Sequence, residues 1–356
     1  MDEDSVINDI SQRRYNPLTD SWVLVSPHRA KRPWQGQQEV PDKSTRPPYD
    51  AKCYLCPRNT RAEGAKNDDY KSTYVFMNDF AALKEEQPAY TPPTNRSPQE
   101  SHLFQLEPVT GKCYVICFSP RHDLTLAQMP PKDIEPVIRT WQTIYKEAVS
   151  LANIAHCQIF ENKGAMMGCS NPHPHGQVWM SSLVPEEPAK ERAALYKYYN
   201  EHGTHMLEDY AAIESKKKQR VVFENDAFIA VVPFWAVWPY EVLVLPRRRV
   251  ARISDLTPDE VSAFAQIISQ VTVRYDNLFS CSFPYSMGIH QACTDASMDD
   301  NCDHLHMHFY PPLLRSATVR KFLVGFELMA MPQRDITAEI AAGTLRTLSA
   351  VHYLDE

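Results

Sequence analysis

The chain has 356 residues, 43% hydrophobic and 10% aromatic, the make-up of a packed globular protein with room for two domains or one large one. Its 37 Lys and Arg against 44 Asp and Glu give a formal charge of −7, so it lacks the broad positive field that holds nucleic acid, and a polyanionic ligand must meet local cations. No apolar run is long enough to span a bilayer and the N-terminus, MDEDSVINDI, is too acidic for a signal peptide, so the expected compartment is the cytoplasm, with no membrane partner.

From the N-terminus, the first marked feature is the C-x-x-C of Cys53 and Cys56. The rest of the nine cysteines are scattered, and in a reducing compartment most read as small buried hydrophobes, Cys113 and Cys117 among them. Residues 87–100, rich in Pro, Thr and Ser, read as a mobile loop, and CYVICF from Cys113 as a strand. Apolar residues at Ile134, Val137, Ile138, Trp141, Ile144, Tyr145 and Ala148 form one stripe of a 3.6-residue period and predict a helix over 134–149. The stretch 186–220 contains EEPAKERAALYKYYN, expected to be helical, and Lys216-Lys217-Lys218, expected to be a solvated loop. YEVLVL reads as a strand, and Thr257 (N-cap), Pro258 (first turn) and Glu260 (capping box) open a second helix whose stripe runs Val261, Phe264, Ile268, Val271. A third helix is predicted over TAEIAAGTLRTLSAVHYL. Twenty-eight Pro against ten Gly, with no G-x-x-x-x-G-K-[ST] and no G-x-G-x-x-G, excludes the common glycine-rich phosphate loops.

These elements repeat. TYVFMNDFAAL, CYVICFSPRHDLTLAQMP, a helix, QIFENKGAMMG and NPHPHGQVWMS are followed in the same order by QRVVFENDAFIAVV, YEVLVLPRRRVARISDLTP, a helix, PYSMGIHQA and DHLHMHFYPP. The expectation is an α+β protein of two similar strand-rich halves, 1–185 and 221–356, joined by a connecting segment, 186–220.

The chemistry concentrates in Asn171-Pro172-His173-Pro174-His175-Gly176-Gln177. On a strand His173, His175 and Gln177 share one face. Imidazole is neutral and nucleophilic near neutral pH and suits attack on a phosphoryl centre. Cys53, Cys56, His122 and His173 supply two thiolates and two imidazoles, a common tetrahedral zinc set, although a C-x-x-C alone also fits redox use. Giving His173 to zinc leaves His175 as the nucleophile, with Gln177 as a donor to the oxygens of the attacked phosphorus. An amide does not titrate, so it points to transfer rather than hydrolysis.

The motifs RRYNPLTDSWVLVSPHRAKRPWQGQ, CYLC, YVFMNDFAAL, CFSPRH, ENKGAMMGCSNPHPHGQVW, WPYEVLVLP, RYDNLFSCSFPYSMG and HMHFYPPLLRSATVRKFLVGFE cover most of the chain. In them it resembles the galactose-1-phosphate uridylyltransferases of the histidine-triad superfamily. The resemblance implies two histidine-triad-like halves whose strands form an antiparallel sheet flanked by helices. It also implies a ping-pong exchange of UMP between UDP-glucose and galactose-1-phosphate, part of galactose metabolism, through a uridylyl-histidine on His175. Gln177 stabilises that step, and zinc sits on Cys53, Cys56, His122 and His173. Some relatives carry Ser at the His122 position, so the histidine here completes the set. Nucleotide and phosphate contacts then fall on Arg29, Arg32, Asn78, Asp79, Asn162, Gly168, Cys169, Ser170 and Gln177.

In the second half, the resemblance implies a second metal, iron or zinc, on Glu191, His290, His306 and His308, and a carboxylate with several imidazoles suits such an ion. That site reads as structural, and His304 as a surface residue or one behind the ligands. Lys321, Phe322, Val324, Phe326, Glu327 and Gln333 match sugar-phosphate contacts, Phe326 departing from an expected Tyr. The family works as a homodimer with shared sites, so Arg29 and Arg32 are candidates to serve the partner. The alternatives left open are an ADP-sugar or dinucleoside-polyphosphate phosphorylase, a hydrolase, and a zinc-stabilised binding module without catalysis.

Overall fold

The computed structural model describes residues 7, 9–31, 46–295 and 299–356. A small sheet joins the hairpin β1 (Gln12–Asn16) and β2 (Ser21–Val25) to the short β12 (Gln333–Arg334), which runs parallel to β2. The centre is a nine-stranded antiparallel sheet. Its spatial order is β3 (Tyr74–Met77), β4 (Gly111–Cys117), β6 (His175–Ser181), β5 (His156–Lys163), β10 (Tyr285–His290), β11 (His306–Tyr310), β9 (Val242–Pro246), β8 (Phe228–Val231) and β7 (Val221–Glu224). The seam between the halves is β5 against β10, with Ile159 opposite Ile289. Outward from it run β6, β4 and β3 on one side and β11, β9 and β8 on the other, so the sequence repeat becomes a pseudo-two-fold relation within one sheet. The second half adds a further strand, β7, paired to β8.

The helices are α1 (Pro98–Leu103), α2 (Pro131–Ser150), α3 (Glu186–His202), α4 (Met206–Lys217), α5 (Pro258–Phe279), α6 (Phe326–Met329) and α7 (Ala338–Thr347). All seven stripe residues of α2 are buried. At the start of α5 the Thr257 hydroxyl accepts from the Glu260 N–H (3.3 Å) while the Glu260 carboxylate accepts from the Thr257 N–H (2.9 Å). The stripes of α2 and α5 close over one sheet face, burying Ile116, Ile159, Val178, Met287, Met307 and Phe309 with Trp141 and Phe264. Each such aliphatic side chain contributes roughly 1.5–3 kcal/mol on burial. On the other face, α3 and α4 cover the second half through Leu195, Leu207 and Ala211 against Ile229, Leu243 and Leu245. Over the first half lies a small cluster of Cys53, Leu55, Cys56 and Tyr70 on Val115 and Cys117. Since strand side chains alternate, Val178 and Met180 point to the helical core, whereas His175, Gln177 and Trp179 point to the opposite face. The same alternation in β11 puts His306 and His308 on that face too.

Several expectations need correction. Lys216 and Lys217 form the last turn of α4, with Lys218 capping it in the left-handed region (φ 59°), not a loop. All three are exposed, and cations at a helix C-terminus are favoured by the carbonyl ends gathered there. The predicted third helix stops at Thr347, because the Asn277 amide donates to the carbonyls of Ser349 and Val351 and draws the chain away. Residues 98–100, read as loop, start α1, capped by Ser97 with Glu100. The small sheet was unforeseen: β1 is held by Arg14, 1% exposed, whose guanidinium grips Glu339 with two bonds of 3.0 Å. No helix among the described residues is long and apolar enough to cross a membrane.

Glu241, at the entrance to β9, is buried, and its Oε2 accepts from the N–H groups of Val237 (2.7 Å) and Trp238 (3.0 Å). Burial pushes its carboxyl up to about 7, against the pull of those bonds and of Arg334. A value raised on folding stabilises the protein fully below the unfolded value of 4.5, and that contribution is lost as pH rises through 7. Glu241→Gln keeps an oxygen for both N–H groups and does not titrate. Urea unfolding from pH 4.5 to 7 should therefore show the variant losing less stability than the parent, by up to roughly 3 kcal/mol. Parallel curves would acquit Glu241.

Candidate active site

Cys53, Cys56, His122 and His173 come together from three separate segments, all buried, with their ligand atoms within 4.8 Å of one another. Both histidines turn Nδ1 to the Cys56 Sγ at 3.6 Å. A tetrahedral zinc with ordinary Zn–S and Zn–N bonds needs roughly 3.5 Å between sulfur and nitrogen, so the donors fit the ion. Behind them, the His173 Nε2–H donates to the Ser119 carbonyl (2.9 Å), the partner that leaves Nδ1 free for a metal. Burial pushes the Cys56 thiol up to about 11 and the His173 imidazole down to about 3. Two neutral imidazoles beside a buried thiol are ready for a cation that would draw the thiol proton off. His173 lies just before β6 rather than on it. The flanking Pro172 and Pro174 have no N–H for a ladder, and the strand opens at His175.

The His175 Nδ1 donates to the His173 carbonyl at 2.7 Å. That bond fixes the tautomer and leaves the Nε2 lone pair unengaged. Burial lowers the imidazole's pKa, with the carbonyl bond opposing it, so the ring stays neutral near pH 7. His175 lines a hollow of about 200 Å³ with Tyr54, Asn162, Gly168, Cys169, Ser170 and Gln177. A second hollow beside it, of about 300 Å³, is lined by His175 with Arg46, Thr125, Glu161 and Lys163 among others. Gly176 is required for packing: a Cβ there would meet the Phe118 ring at 2.7 Å and the Phe160 carbonyl at 2.9 Å. Gly168 sits at φ 80°, where the chain turns back toward Cys169 and Ser170.

The Gln177 Oε1 accepts from Trp179 Nε1–H at 3.0 Å and from the Asn78 amide at 3.3 Å. Asn162 accepts from the Ser286 hydroxyl at 2.7 Å, and Asp79 faces Arg61 at 3.5 Å. Arg29 lies elsewhere. It pairs with Asp335 (2.9 Å), which accepts from Gln333 (2.7 Å); Gln333 in turn accepts from Lys321 (3.3 Å), and Lys321 pairs with Glu327. Phe322, Val324 and Phe326 are about half exposed on the same segment. None of these residues lines either hollow beside His175. The candidate contacts thus fall into two clusters within one chain. Arg32 lies outside the described residues. Sequence reasoning passed over Tyr54, Arg46 and Trp179. The two-residue spacing from Gln177 was a usable signal for Trp179, whereas nothing local marked Arg46.

The second cluster gathers Glu191 from α3, His290 from β10, and His306 and His308 from β11. Glu191 Oε2 meets His290 Nδ1 at 2.6 Å and His306 Nε2 at 3.1 Å; its Oε1 meets His308 Nε2 at 3.4 Å. Burial alone would raise the Glu191 carboxyl, but His290 and His306 hold it well below the usual range. An ionised carboxylate among imidazoles, one of them (His308) pushed down to about 4 by burial, is a donor set for a borderline divalent ion. His306 Nδ1 donates to the His304 carbonyl at 2.7 Å, the same device that His175 uses. His304 is not a surface residue: its ring is 1% exposed, and its carbonyl orients the ligand His306.

Residues 3–185 match the family model for the galactose-1-phosphate uridyl transferase N-terminal domain, and residues 190–356 the model for its C-terminal domain. A galactose-1-phosphate uridylyltransferase of Kluyveromyces lactis is 55% identical over 98% of this chain and 96% of its own length. One from Hypocrea jecorina is 52% identical over 98% of each. Among solved structures, a uridylyltransferase at 26% identity aligns with a TM-score of 0.72 over 95% of this chain and 97% of its own. An Arabidopsis thaliana ADP-glucose phosphorylase with bound ADP-glucose, at 21% identity, has a TM-score of 0.74 over 96% and 100%, and shows the fold alone.

Proposed function

Since the chain belongs to the galactose-1-phosphate uridylyltransferase family and is a UDP-glucose–hexose-1-phosphate uridylyltransferase of galactose metabolism, we propose that it moves UMP through a covalent bond to His175. The observation that carries this reading is the His175 tautomer: Nδ1–H is tied to the His173 carbonyl, so Nε2 meets the hollow with its lone pair. Nε2 attacks the α-phosphorus of UDP-glucose, and the bond to the bridging oxygen breaks, its electron pair leaving on glucose-1-phosphate. An oxygen of galactose-1-phosphate then attacks the same phosphorus, and the N–P pair returns to Nε2. The Gln177 Nε2–H₂, turned away from Trp179 and Asn78 because both donate to its carbonyl oxygen, donates to the phosphoryl oxygens as charge builds there. Cys53, Cys56, His122 and His173 would hold a zinc ion, which would fix the residue two before the nucleophile. Glu191, His290, His306 and His308 would hold iron or zinc, which would tie α3 to the second half.

The division of candidate contacts into two clusters supports a homodimer. We read Asn78, Asp79, Asn162, Gly168, Cys169, Ser170 and Gln177 as one chain's half of the site. Arg29, Arg32, Lys321, Phe322, Val324, Phe326, Glu327 and Gln333 are the half that it lends to its partner, with Arg29 supplying the local cation that the net charge of −7 demands. The exposed Phe322, Val324 and Phe326 then gain cover on dimerisation. The halves 1–185 and 221–356, with 186–220 between them, divide the work: nucleophile and zinc in the first, second metal and sugar phosphate in the second.

The test is intact-mass measurement after brief exposure to UDP-glucose or ADP-glucose without an acceptor. We expect a UMP adduct from the first and none from the second. Label kept only from ADP-glucose would make the protein a phosphorylase; steady release of UMP with no adduct would make it a hydrolase.

A further inference from the structure

The amide of Gln177 works only in one orientation. Its NH₂ must face the phosphorus, because its oxygen would repel the phosphoryl oxygens. An amide rotated by half a turn fills the same space, so something must choose between the two. The surroundings of Gln177 contain two donors whose identity cannot be reversed. The indole Nε1–H of Trp179 has no acceptor form, and it meets Gln177 at 3.0 Å. Asn78 meets the same atom at 3.3 Å. Its own orientation is set by the Phe80 backbone N–H, which donates to Asn78 Oδ1 at 3.0 Å and so turns the Asn78 NH₂ toward Gln177. Both donors converge on the same atom, which must be the Gln177 oxygen.

We propose that Trp179 and Asn78 are positioning residues of the reaction, a two-donor clamp that locks the Gln177 carbonyl away from the substrate and presents its NH₂ to the transferring phosphoryl group. The inference rests on the proposed role of Gln177. The clamp itself is held rigidly. Trp179 follows Gln177 by two residues on the same face of β6, and its ring stands edge-to-face on Phe160 (5.6 Å, 80°), the residue opposite Gln177 on β5. The Asn78 N–H donates to the Cys113 carbonyl at 2.8 Å, which fixes the loop after β3 to β4. A donor held ready before the charge develops needs no reorganisation when it does.

Trp179→Phe keeps a ring against Phe160 and removes only the N–H. We expect kcat for UMP transfer to fall about ten-fold, the worth of one neutral hydrogen bond, with KM for UDP-glucose changed by less than about two-fold. A thermal melt checks that the fold holds. The decisive reading is the pair: Trp179→Phe added to Gln177→Ala should slow transfer no further, because the clamp has nothing left to orient. Losses that multiply in the double variant, or a Trp179→Phe enzyme at parental rate beside a slow Gln177→Ala, overturn the clamp and leave Gln177 in place. A Gln177→Ala enzyme at parental rate overturns the role of Gln177 itself. Should Trp179→Phe melt early, the indole N–H resonance of Trp179 decides in its stead. It should shift and exchange faster with water in Gln177→Ala, and an unmoved signal counts against the bond.

Discussion

His175→Ala is expected to abolish UMP transfer, a loss on the order of 10⁴-fold or more, in a protein that still folds. Two independent features carry the expectation. Among the described residues no other imidazole or amine lines the hollow with Gly168, Ser170 and Gln177, and amide nitrogens are not nucleophiles, so no nitrogen there replaces Nε2 as the atom bonded to phosphorus. The metal-binding group of Cys53, Cys56, His122 and His173 does not include His175, and the bond from Nδ1 to the His173 carbonyl is one neutral hydrogen bond, worth about 1 kcal/mol. The side chain is only partly buried, so its removal opens no sealed cavity in the core. The check is twofold: no UMP adduct by intact mass after UDP-glucose, and a thermal midpoint close to the parent's. Transfer retained within about a hundred-fold of the parent would move the covalent step to another residue, or remove it.

How far the sequence led depends on the range over which each feature is written. The α2 stripe and the α5 capping box are local, and the structure repeats them residue for residue. Two-residue alternation through His175 and Gln177, and the pairing of Cys53 and Cys56 with distant imidazoles, were legible because the chemistry of each side chain limits its company. The small sheet was not legible, because QRRYN has no apolar alternation and is held by Arg14 on Glu339, 325 residues away. Nor was the place of Arg29, which depends on β12 lying beside β2. Of the two readings of His304, at the surface or behind the metal-binding set, the structure takes the second: its side chain is buried and its carbonyl accepts from His306 Nδ1.

The repeat accounts for the different parts proposed for the two halves. His175 and His306 open equivalent strands, β6 and β11, and each ties Nδ1 to the carbonyl two residues back. That bond delivers a nucleophilic Nε2 in both places. In the second half Nε2 of His306 meets Glu191 at 3.1 Å, with His290 and His308 around the same carboxylate. There the lone pair would go to a metal ion held together with that carboxylate. In the first half the residue two further along is Gln177, not histidine, and among the described residues no carboxylate pairs with His175, so Nε2 stays open to a ligand. The same strand thus yields a metal cluster or a nucleophile according to what the opposite face brings to it.

That makes Gln177 the second residue whose loss should be severe. Gln177→Ala is expected to lower the transfer rate by roughly 10²–10³-fold, about 3–4 kcal/mol if the amide acts as an oxyanion-hole donor does. His175 keeps its tautomer in this variant, since its Nδ1 bond runs to the backbone, so the attacking lone pair is unchanged and only the charge on the phosphoryl oxygens loses its donor. For that reason kcat and kcat/KM should fall together, whereas loss of a ground-state contact would raise KM alone. Formation of the UMP adduct and its discharge to galactose-1-phosphate should both slow, because the same oxygens carry the charge in each step. Rapid-quench measurement of the two half-reactions separates the cases. Slowing of one with the other intact would confine Gln177 to that step, and parental rates in both would leave transition-state stabilisation to other groups lining the hollow.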